Sequence, residues 1–321
     1  MLKVSVLIPL YNSENNIVET IQSVLNQTYT NIEVIVVNDG STDESLNRIS
    51  LIEDDRLIVV DQENKGASAA RNTAFDHSTG ELIQYLDADD LLEEHKIEKQ
   101  IELFLEANDS ACLISGVWGR FFDAISNVKW EHQEIDEDYD QPYKWLLDSW
   151  QGKGMAQPGI WLTPRSVIEK AGKWNESISL NDDGEFFCRV LLQSSKIIFC
   201  PEAKVYYRSG DVNSLSNVIS DRSLQSQFLS LKCYKEEFEK KDLLIGHEKV
   251  FSDLFYGFMY SFKTMSTALL KEVDDYVKTE YLQYKSKFHS VNALYSLLVP
   301  VLGFYNVTIF RNRLFKIYSK S

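Results

Sequence analysis

Asp87, Asp89 and Asp90 lie in the stretch YLDADDLL (85–92), three carboxylates within four positions at the end of an apolar run. Like charges that close repel one another, so the group costs stability unless a cation or a hydrogen-bond network neutralises it. A hard divalent cation such as Mg²⁺ or Mn²⁺ suits such a place. It needs only one or two carboxylates, with phosphate oxygens of a substrate and water completing its shell. The plainer use of the same residues is a helix cap and dipole partner for a helix starting at Leu91. Three acids exceed what one cap needs, and Asp90 suits that task best.

The elements that would carry these acids can be read from hydrophobic periodicity. KVSVLIPL (3–10), IEVIVVND (32–39) and RLIVVDQ (56–62) are nearly continuously apolar, as strands buried on both faces of a sheet must be. Between the first two, Ile17, Ile21, Val24 and Leu25 form one helical stripe, entered through Asn12 or Ser13 as cap. After the third strand come alanines at 67, 69, 70 and 74, small enough for close packing on a sheet, in a helix that stops at Gly80. A fourth strand is expected over 81–87 and a helix over 91–107, with Ile97, Ile101, Phe104 and Leu105 inward. The alternation predicts an α/β fold, a mainly parallel, right-handed, Rossmann-like sheet with helices on both faces.

Ligands of such sheets bind beyond the carboxyl ends of the strands. Those ends read PLYN (9–12), NDGSTD (38–43), DQENKG (61–66) and LDADD (86–90), polar and aromatic groups that would line one crevice. No GxGxxG follows the first strand and no GxxxxGK[ST] loop is present, so phosphate must be held otherwise, and a metal would serve.

Beyond 110 the pattern loosens into strands over 111–117, 158–163, 196–200 and 203–208, short helices, and the acidic stretch EHQEIDEDYD (131–140). The acidic stretch reads as a solvated surface segment or an acceptor lid. From 214 to 290 the chain reads as helical, with Leu224, Phe228, Leu231 and Phe238 on one face. The 321 residues carry a formal net charge of −15, which argues against a nucleic-acid-binding surface, since phosphate affinity comes from Lys and Arg. Cys112, Cys188, Cys200 and Cys233 show no CxxC and no nearby His, and read as buried thiols of a reducing cytosol. The N-terminal apolar run ends after eight residues and is read as a first strand, not a signal peptide.

VSVLIPLYNSENNIVETIQSVLNQTYTNIEVIVVNDGSTDES, NKGASAARNTAF and YLDADD, in that order and spacing, resemble the nucleotide-binding half of family-2 glycosyltransferases with the GT-A fold. The likeness covers 3–110 and continues more weakly to about 210 through LTPRSVIEKAGKWNESISLNDDGEFFCRVLL, similar to the family's acceptor half and its ED-containing helix start. It implies a nucleotide-sugar donor, a UDP-sugar first. Pro9, Tyr11 and Asp39 would hold the base, with Arg71 nearby. Asp87 would meet the ribose, and Asp89 the Mn²⁺ or Mg²⁺ that bridges the diphosphate. Arg208 resembles a position that faces the diphosphate. Asp183 aligns with the catalytic base of an inverting transfer, while Asp182 stands where the family has Glu.

The resemblance implies a donor half (1–110) and an acceptor half (111–212), and the helical pattern beyond them adds an extension (213–321). The resemblance also implies a cytoplasmic enzyme of polysaccharide or glycoconjugate assembly, with a saccharide or lipid-linked saccharide as acceptor and no nucleic-acid partner. Two other classes stay open: a nucleotide-sugar-binding protein that no longer catalyses, and a nucleotidyltransferase on a related sheet, against which PLYNSENN offers no basic residue. The blander readings are structural ion pairs for Arg71 and Arg208, an ordinary turn for Asp39 in DGST, and a helix start for Asp183. Trp118, Trp161 and Trp174 could stack on sugar rings or fill the core. His95, His132 and His289 have no ligand-like spacing. VNALYSLLVPVLGFYNVTIF (291–310) has the length of a membrane crossing and no formal charge, but Asn, Pro and Gly within it. A helix pair lying on the inner membrane face, or packed on the protein, fits it better.

Overall fold

The computed structural model describes residues 1–321 except 131, 211–219, 263, 282 and 319–321. The chain divides into two compact units, one of Met1–Glu176 with Asp182–Asp211, the other of Ser177–Asn181 with Val212–Ser321.

The first unit begins with β1 (Val4–Leu10), α1 (Ile17–Leu25), β2 (Ile32–Asp39), α2 (Ser45–Ile49), β3 (Leu57–Gln62), α3 (Ala67–His77) and β4 (Leu82–Tyr85), the strands falling where the periodicity predicts. β3 departs from the expected burial on both faces: it is an edge strand, with Ile58 and Val59 38% and 40% exposed. Every residue of β2 is buried, as its unbroken apolar run requires. The sheet order is β3-β2-β1-β4, all parallel, with a short antiparallel edge strand β8 (Thr163–Pro164) beyond β4. Register places Leu10 beside Asn38 and Asn38 beside Asp61, so three strands end at one level. Ile17, Ile21 and Val24 of α1 are buried, and Ala69, Ala70 and Ala74 let α3 lie close to the strands.

The entry to α1 differs from the expected cap. The helix starts after Asn16, while Asn12 adopts a left-handed φ of 49° and turns its Oδ1 to the Thr42 N–H at 2.8 Å. Asn12 and Ser13 therefore bind the loop after β1 to the loop after β2, Ser13 N–H donating to Ser45 Oγ at 2.9 Å.

The acidic strand end also departs from expectation. Leu91–Leu92 form a strand, β5, and the next helix, α4, runs Lys96–Ala107. Asp90 is therefore not its cap. The two leucines pair with Val205 and Tyr206 of the long strand β9 (Ile197–Arg208), burying both side chains, which a helix starting at 91 would not do. β6 (Leu113–Phe121), β7 (Lys129–Trp130), α5 (Pro142–Trp150), α6 (Arg165–Ala171) and α7 (Asp182–Gln193) complete the unit. β6 and β9 pair in parallel within a second sheet, β5-β9-β6-β7. The expected strands 196–200 and 203–208 are one strand whose register shifts opposite Gly116 and Val117. The expected strand 158–163 is a 3-10 turn, Pro158–Ile160, followed by β8.

In the second unit, α8 (Asp221–Lys240), α9 (Glu248–Ser261) and α10 (Thr267–Tyr281) enclose an aromatic core in which Phe228, Phe238, Phe251, Phe255 and Tyr281 are buried. Leu224, Phe228, Leu231 and Phe238 all face inward, as their spacing predicts. The expected start at 214 lies outside the described residues. The uncharged tract 291–310 is a helix pair, α11 (Ala293–Leu302) and α12 (Phe304–Tyr318), separated by Gly303 at φ +77°. No described helix is long and apolar enough to cross a membrane.

Candidate active site

Asp39 closes β2 with 2% of its surface exposed. Its Oδ1 accepts from Gln62 Nε2 at 2.8 Å and Lys65 N–H at 2.9 Å, and its Oδ2 from Gly66 N–H at 2.8 Å. One carboxylate thus fixes the loop after β3. Gly66 makes this possible by adopting φ +93° at the threshold of α3, a conformation other residues avoid. Gly40 beside it is similarly obligatory, since a Cβ there would meet Asn64 N at 2.9 Å. A carboxylate has about four lone-pair directions, and three are engaged. Asn38 is tied to Asp61 in the same rim, Nδ2 donating to Oδ1 at 2.6 Å.

Pro9 and Tyr11 stand at the neighbouring strand end. Leu7 O accepts the last bond from the β4 side, from Leu86 N–H, so Pro9 lies where its missing N–H has no strand to face. Tyr11 is 49% exposed, an aromatic ring open to solvent at the mouth of the sheet.

Beyond β4 the three aspartates divide. Asp87 and Asp89 keep partial exposure, whereas Asp90 is 1% exposed. Asp90 Oδ1 accepts from the backbone N–H of Arg208 at 2.9 Å and its Oδ2 is buried with no protein partner. Burial first, then the charges of Asp89 and Asp87, raise the Asp90 carboxyl well above the usual carboxylate range. Arg208, at the end of β9, donates from Nε to the Asp89 carbonyl at 2.9 Å and from Nη2 to Glu19 at 2.6 Å, and its guanidinium lies 4.6 Å over the Phe121 ring. It therefore clamps the acidic turn by its main chain.

Arg71 joins this turn to the start of α7. Its guanidinium donates from Nη2 to Asp87 at 2.8 Å and from Nη1 to Asp182 at 2.9 Å, and it rests 4.4 Å over the ring of Trp174. Ser68, one helical turn before Arg71, donates to the same Asp182 oxygen at 3.1 Å. Trp174 stacks on Phe186 of α7 at 4.2 Å and meets Tyr85 edge-on at 5.2 Å, so the platform under Arg71 is core packing. Burial disfavours the Arg71 charge, but Asp87 and Asp182 outweigh it and hold the guanidinium more firmly protonated than usual.

Asp183 follows Asp182 in the first turn of α7 and its Oδ1 accepts from Gly184 N–H at 2.8 Å. Desolvation, then the adjacent Asp182 charge, push the Asp183 carboxyl up to about 6, with Arg71 pulling the other way. A carboxylate with that proton affinity can take a proton from a hydroxyl as it attacks.

The arrangement brings Arg71, Asp87 and Asp182 into direct contact, with Asp183 beside them, and ties Arg208 to Asp89 and Asp90. The residues that sequence reasoning left out are Ser68, Trp174 as the platform of Arg71, and Gln62, Lys65 and Gly66 around Asp39. Ser68 could have been found from its place three residues before Arg71 on one helix face. Trp174 and Trp161 are 3% and 1% exposed and belong to the core.

The half-exposed carboxylates of Asp87 and Asp89 are hard oxygen donors of the type Mg²⁺ and Mn²⁺ take. Among the described residues, three ligand atoms within 4.8 Å of one another occur instead at Glu93, Glu94 and His95. There the histidine already contacts Glu94 at 3.1 Å and Glu98 at 3.6 Å at the surface. The strand-end acids thus suit a cation that brings most of its shell with it, as one bound to a diphosphate does.

The profile described as "Glycosyl transferase family 2" matches residues 5–171. The glycosyltransferase GlyA of Streptococcus pneumoniae is 30% identical over 237 residues, 68% of this chain and 32% of GlyA. WfgD of Escherichia coli, a UDP-Glc:α-D-GlcNAc-diphosphoundecaprenol β-1,3-glucosyltransferase, is 40% identical over 125 residues, 39% of this chain and 47% of WfgD. The chain thus spans less than half the length of either relative. Among solved structures, Staphylococcus aureus TarS 1–349 superposes with a TM-score of 0.67 at 18% identity, covering 97% of this chain and 89% of TarS 1–349. The same TarS segment in complex with UDP-GlcNAc gives 0.63 at 16%, covering 87% and 90%. These likenesses establish a GT-A-like fold, and the profile match spans more than half of the sequence. The chain belongs to glycosyl transferase family 2.

Proposed function

We propose that this glycosyltransferase moves a sugar from a UDP-sugar to an acceptor hydroxyl with inversion, on a saccharide carried by a lipid diphosphate. The observation that carries the reading is the span of Arg71, which holds Asp87 of the donor-side turn and Asp182 of the α7 start on one guanidinium. The proposed donor half is 1–110 and the acceptor half 111–212. Support for the donor comes from the names of WfgD, which acts from UDP-Glc, and of the TarS complex with UDP-GlcNAc. The diphosphoundecaprenol in WfgD's name supports a lipid-linked saccharide as acceptor.

In this reading Pro9, Tyr11 and Asp39 receive the uracil, the last carboxylate direction of Asp39 accepting from the base N–H. Asp87 meets the ribose. Asp89 would hold a Mn²⁺ or Mg²⁺ that comes with the diphosphate, and such an ion would supply charge neutralisation for the leaving group. Arg208, held by Asp89, Asp90 and Glu19, keeps that turn in place. Asp183 takes the proton from the acceptor hydroxyl on the opposite face of the sugar, and a single displacement inverts the anomeric centre.

Calorimetric titration with UDP, GDP and dTDP, each with and without Mn²⁺, tests the donor. Metal-dependent binding of UDP alone is expected, and no nucleotide binding at all overturns the reading. Asp183→Asn should abolish transfer while leaving UDP and metal binding intact, whereas a binding protein without catalysis would show no transfer to lose.

A further inference from the structure

Helices α11 and α12 bury one face each. Tyr295, Val299, Phe304 and Val307 turn inward, and Tyr295 and Phe304 pack on Tyr260 and Tyr256 of α9 at centroid distances of 5.3 and 4.7 Å. An ordinary surface helix is polar on its other face. These are not. On α11, Leu297 and Val301 are 74% and 80% exposed, one turn apart. On α12, Phe310 and Leu314 are exposed at the same spacing, with exposed Arg313 between them.

The charge of this segment is opposite to that of the rest. Tyr281–Ser321 contains six basic residues and no acid, in a chain whose formal net charge is −15. Large aliphatic and aromatic side chains interleaved with Arg and Lys, on helices too short to span a bilayer, are the composition of an interfacial anchor.

We propose that the outer faces of α11 and α12 dock on an anionic lipid bilayer, the apolar side chains entering the headgroup boundary and the exposed Arg313 pairing with lipid phosphates. The occupant is fixed by charge: a neutral apolar partner would not select a segment purged of acids, and an anionic surface does. The inference goes beyond the proposed transfer reaction. It rests on that reading only for what the membrane carries.

The test is co-sedimentation of the full chain, without nucleotide or acceptor, with vesicles of phosphatidylglycerol and phosphatidylcholine and with vesicles of phosphatidylcholine alone. Binding to the anionic vesicles only, weakened by salt, is expected. Leu297→Asp with Val301→Asp should weaken it about tenfold or more, and Arg313→Glu by a smaller factor, since each removes a favourable contact with the surface. Leu51→Asp, an 81% exposed apolar residue of the other unit, should leave it unchanged. Because every substituted position is exposed, circular dichroism and melting should match the parent. A chain that stays in the supernatant with anionic vesicles overturns the proposal, as does binding that survives the double substitution. Light scattering that shows a dimer dissolved by the same double substitution would assign the face to a second copy and likewise overturn it. Since none of these readouts needs transfer, their failure leaves the transferase reading standing.

Discussion

Arg71 Nη1 and Asp182 Oδ2 lie 2.9 Å apart, although 111 residues separate them in sequence, and the other Arg71 nitrogen, Nη2, holds Asp87 at 2.8 Å. The family's first acid is shortened to Asp at position 182, yet the carboxylate is not idle: it is the link between α3 and α7. A planar fork with two donors in fixed directions is what such a bridge needs, and an ammonium does not supply it.

Arg71→Met should therefore leave two carboxylates facing an apolar platform. Removing one partner of a fully buried pair costs about 3–5 kcal/mol, and the partial exposure of Asp87 and Asp182 reduces this to about 2–3 kcal/mol. Urea unfolding of Arg71→Met and Arg71→Lys should show a comparable lowering of the midpoint in both. Full recovery by Lys would mean that charge alone, not the fork, is what the site uses.

Asp183 makes a prediction in which activity and stability oppose each other. A general base works only when ionised, so transfer should rise with pH through about 6, the position of its folded carboxyl, and level off above. For stability the sign is reversed. The folded carboxyl is raised above its unfolded value of about 4, so between these limits the folded chain binds more protons and loses stability as pH rises. Asp183→Asn should therefore be inactive yet more stable at pH 7 by about 1–3 kcal/mol. Asp182→Asn removes the neighbouring charge that raises Asp183, so the rising limb of its rate profile should move to lower pH. A profile that stays in place would show that Asp182 does not act through Asp183.

The fold was legible where burial dictates sequence. β1, β2 and the helix α1 between them carry unbroken or strictly periodic apolar patterns because both sheet faces are covered, and the strand-end acids followed from the chain order of the elements. What local sequence could not carry was the partner of each acid. Asp90 looked like a cap because nothing near it in sequence shows that Arg208, 118 residues away, supplies a backbone N–H. Leu91–Leu92 read as a helix start because their pairing with β9 is equally distant. DGST around Asp39 by itself reads as an ordinary turn because the three donors to Asp39, from Gln62, Lys65 and Gly66, lie on the next strand and loop. Long-range pairing, not propensity, decided each case.

Metal dependence should separate two adjacent aspartates. Asp89 keeps partial exposure at the strand end, whereas Asp90 is buried and its Oδ1 is engaged with the Arg208 main chain. Asp89→Asn should lose the Mn²⁺ requirement and weaken UDP binding by about 10- to 100-fold, as loss of a metal contact does. Asp90→Asn retains an oxygen for the Arg208 N–H and a neutral group in a buried place, so it should keep metal-dependent binding. Chelation by EDTA should abolish transfer in the parent. Calorimetry with UDP in the presence and absence of Mn²⁺ distinguishes the two variants, and equal losses in both would mean that the turn acts as one ligand.

Lys96 offers a test of the fold independent of catalysis. It is fully buried, and its ammonium donates to Gln84 Oε1 and to Gln100 Oε1, the latter at 2.7 Å. Burial governs its proton, lowering it from the usual value to about 7 against a smaller opposing effect of Cys200. Since the unfolded chain keeps that proton to about pH 10.4, the unfolded state binds more protons above 7, and stability rises with pH there. The slope reaches at most about 1.4 kcal/mol per pH unit for one proton. Opposing it, the buried Cys112 thiol and Tyr206 and Tyr207, all raised, favour the protonated folded state and pull stability down once their unfolded forms ionise. The Lys96 contribution is thus visible between about pH 7 and 9. Urea unfolding at pH 7, 8 and 9 should show the parent gaining stability relative to Lys96→Met, whose two glutamine oxygens lose their donor at every pH and so add a constant offset. The difference between the two chains, not either curve alone, isolates the lysine. A difference that is flat across this window would mean that the buried ammonium keeps its ordinary proton affinity, and that the two glutamine oxygens solvate it as well as water does.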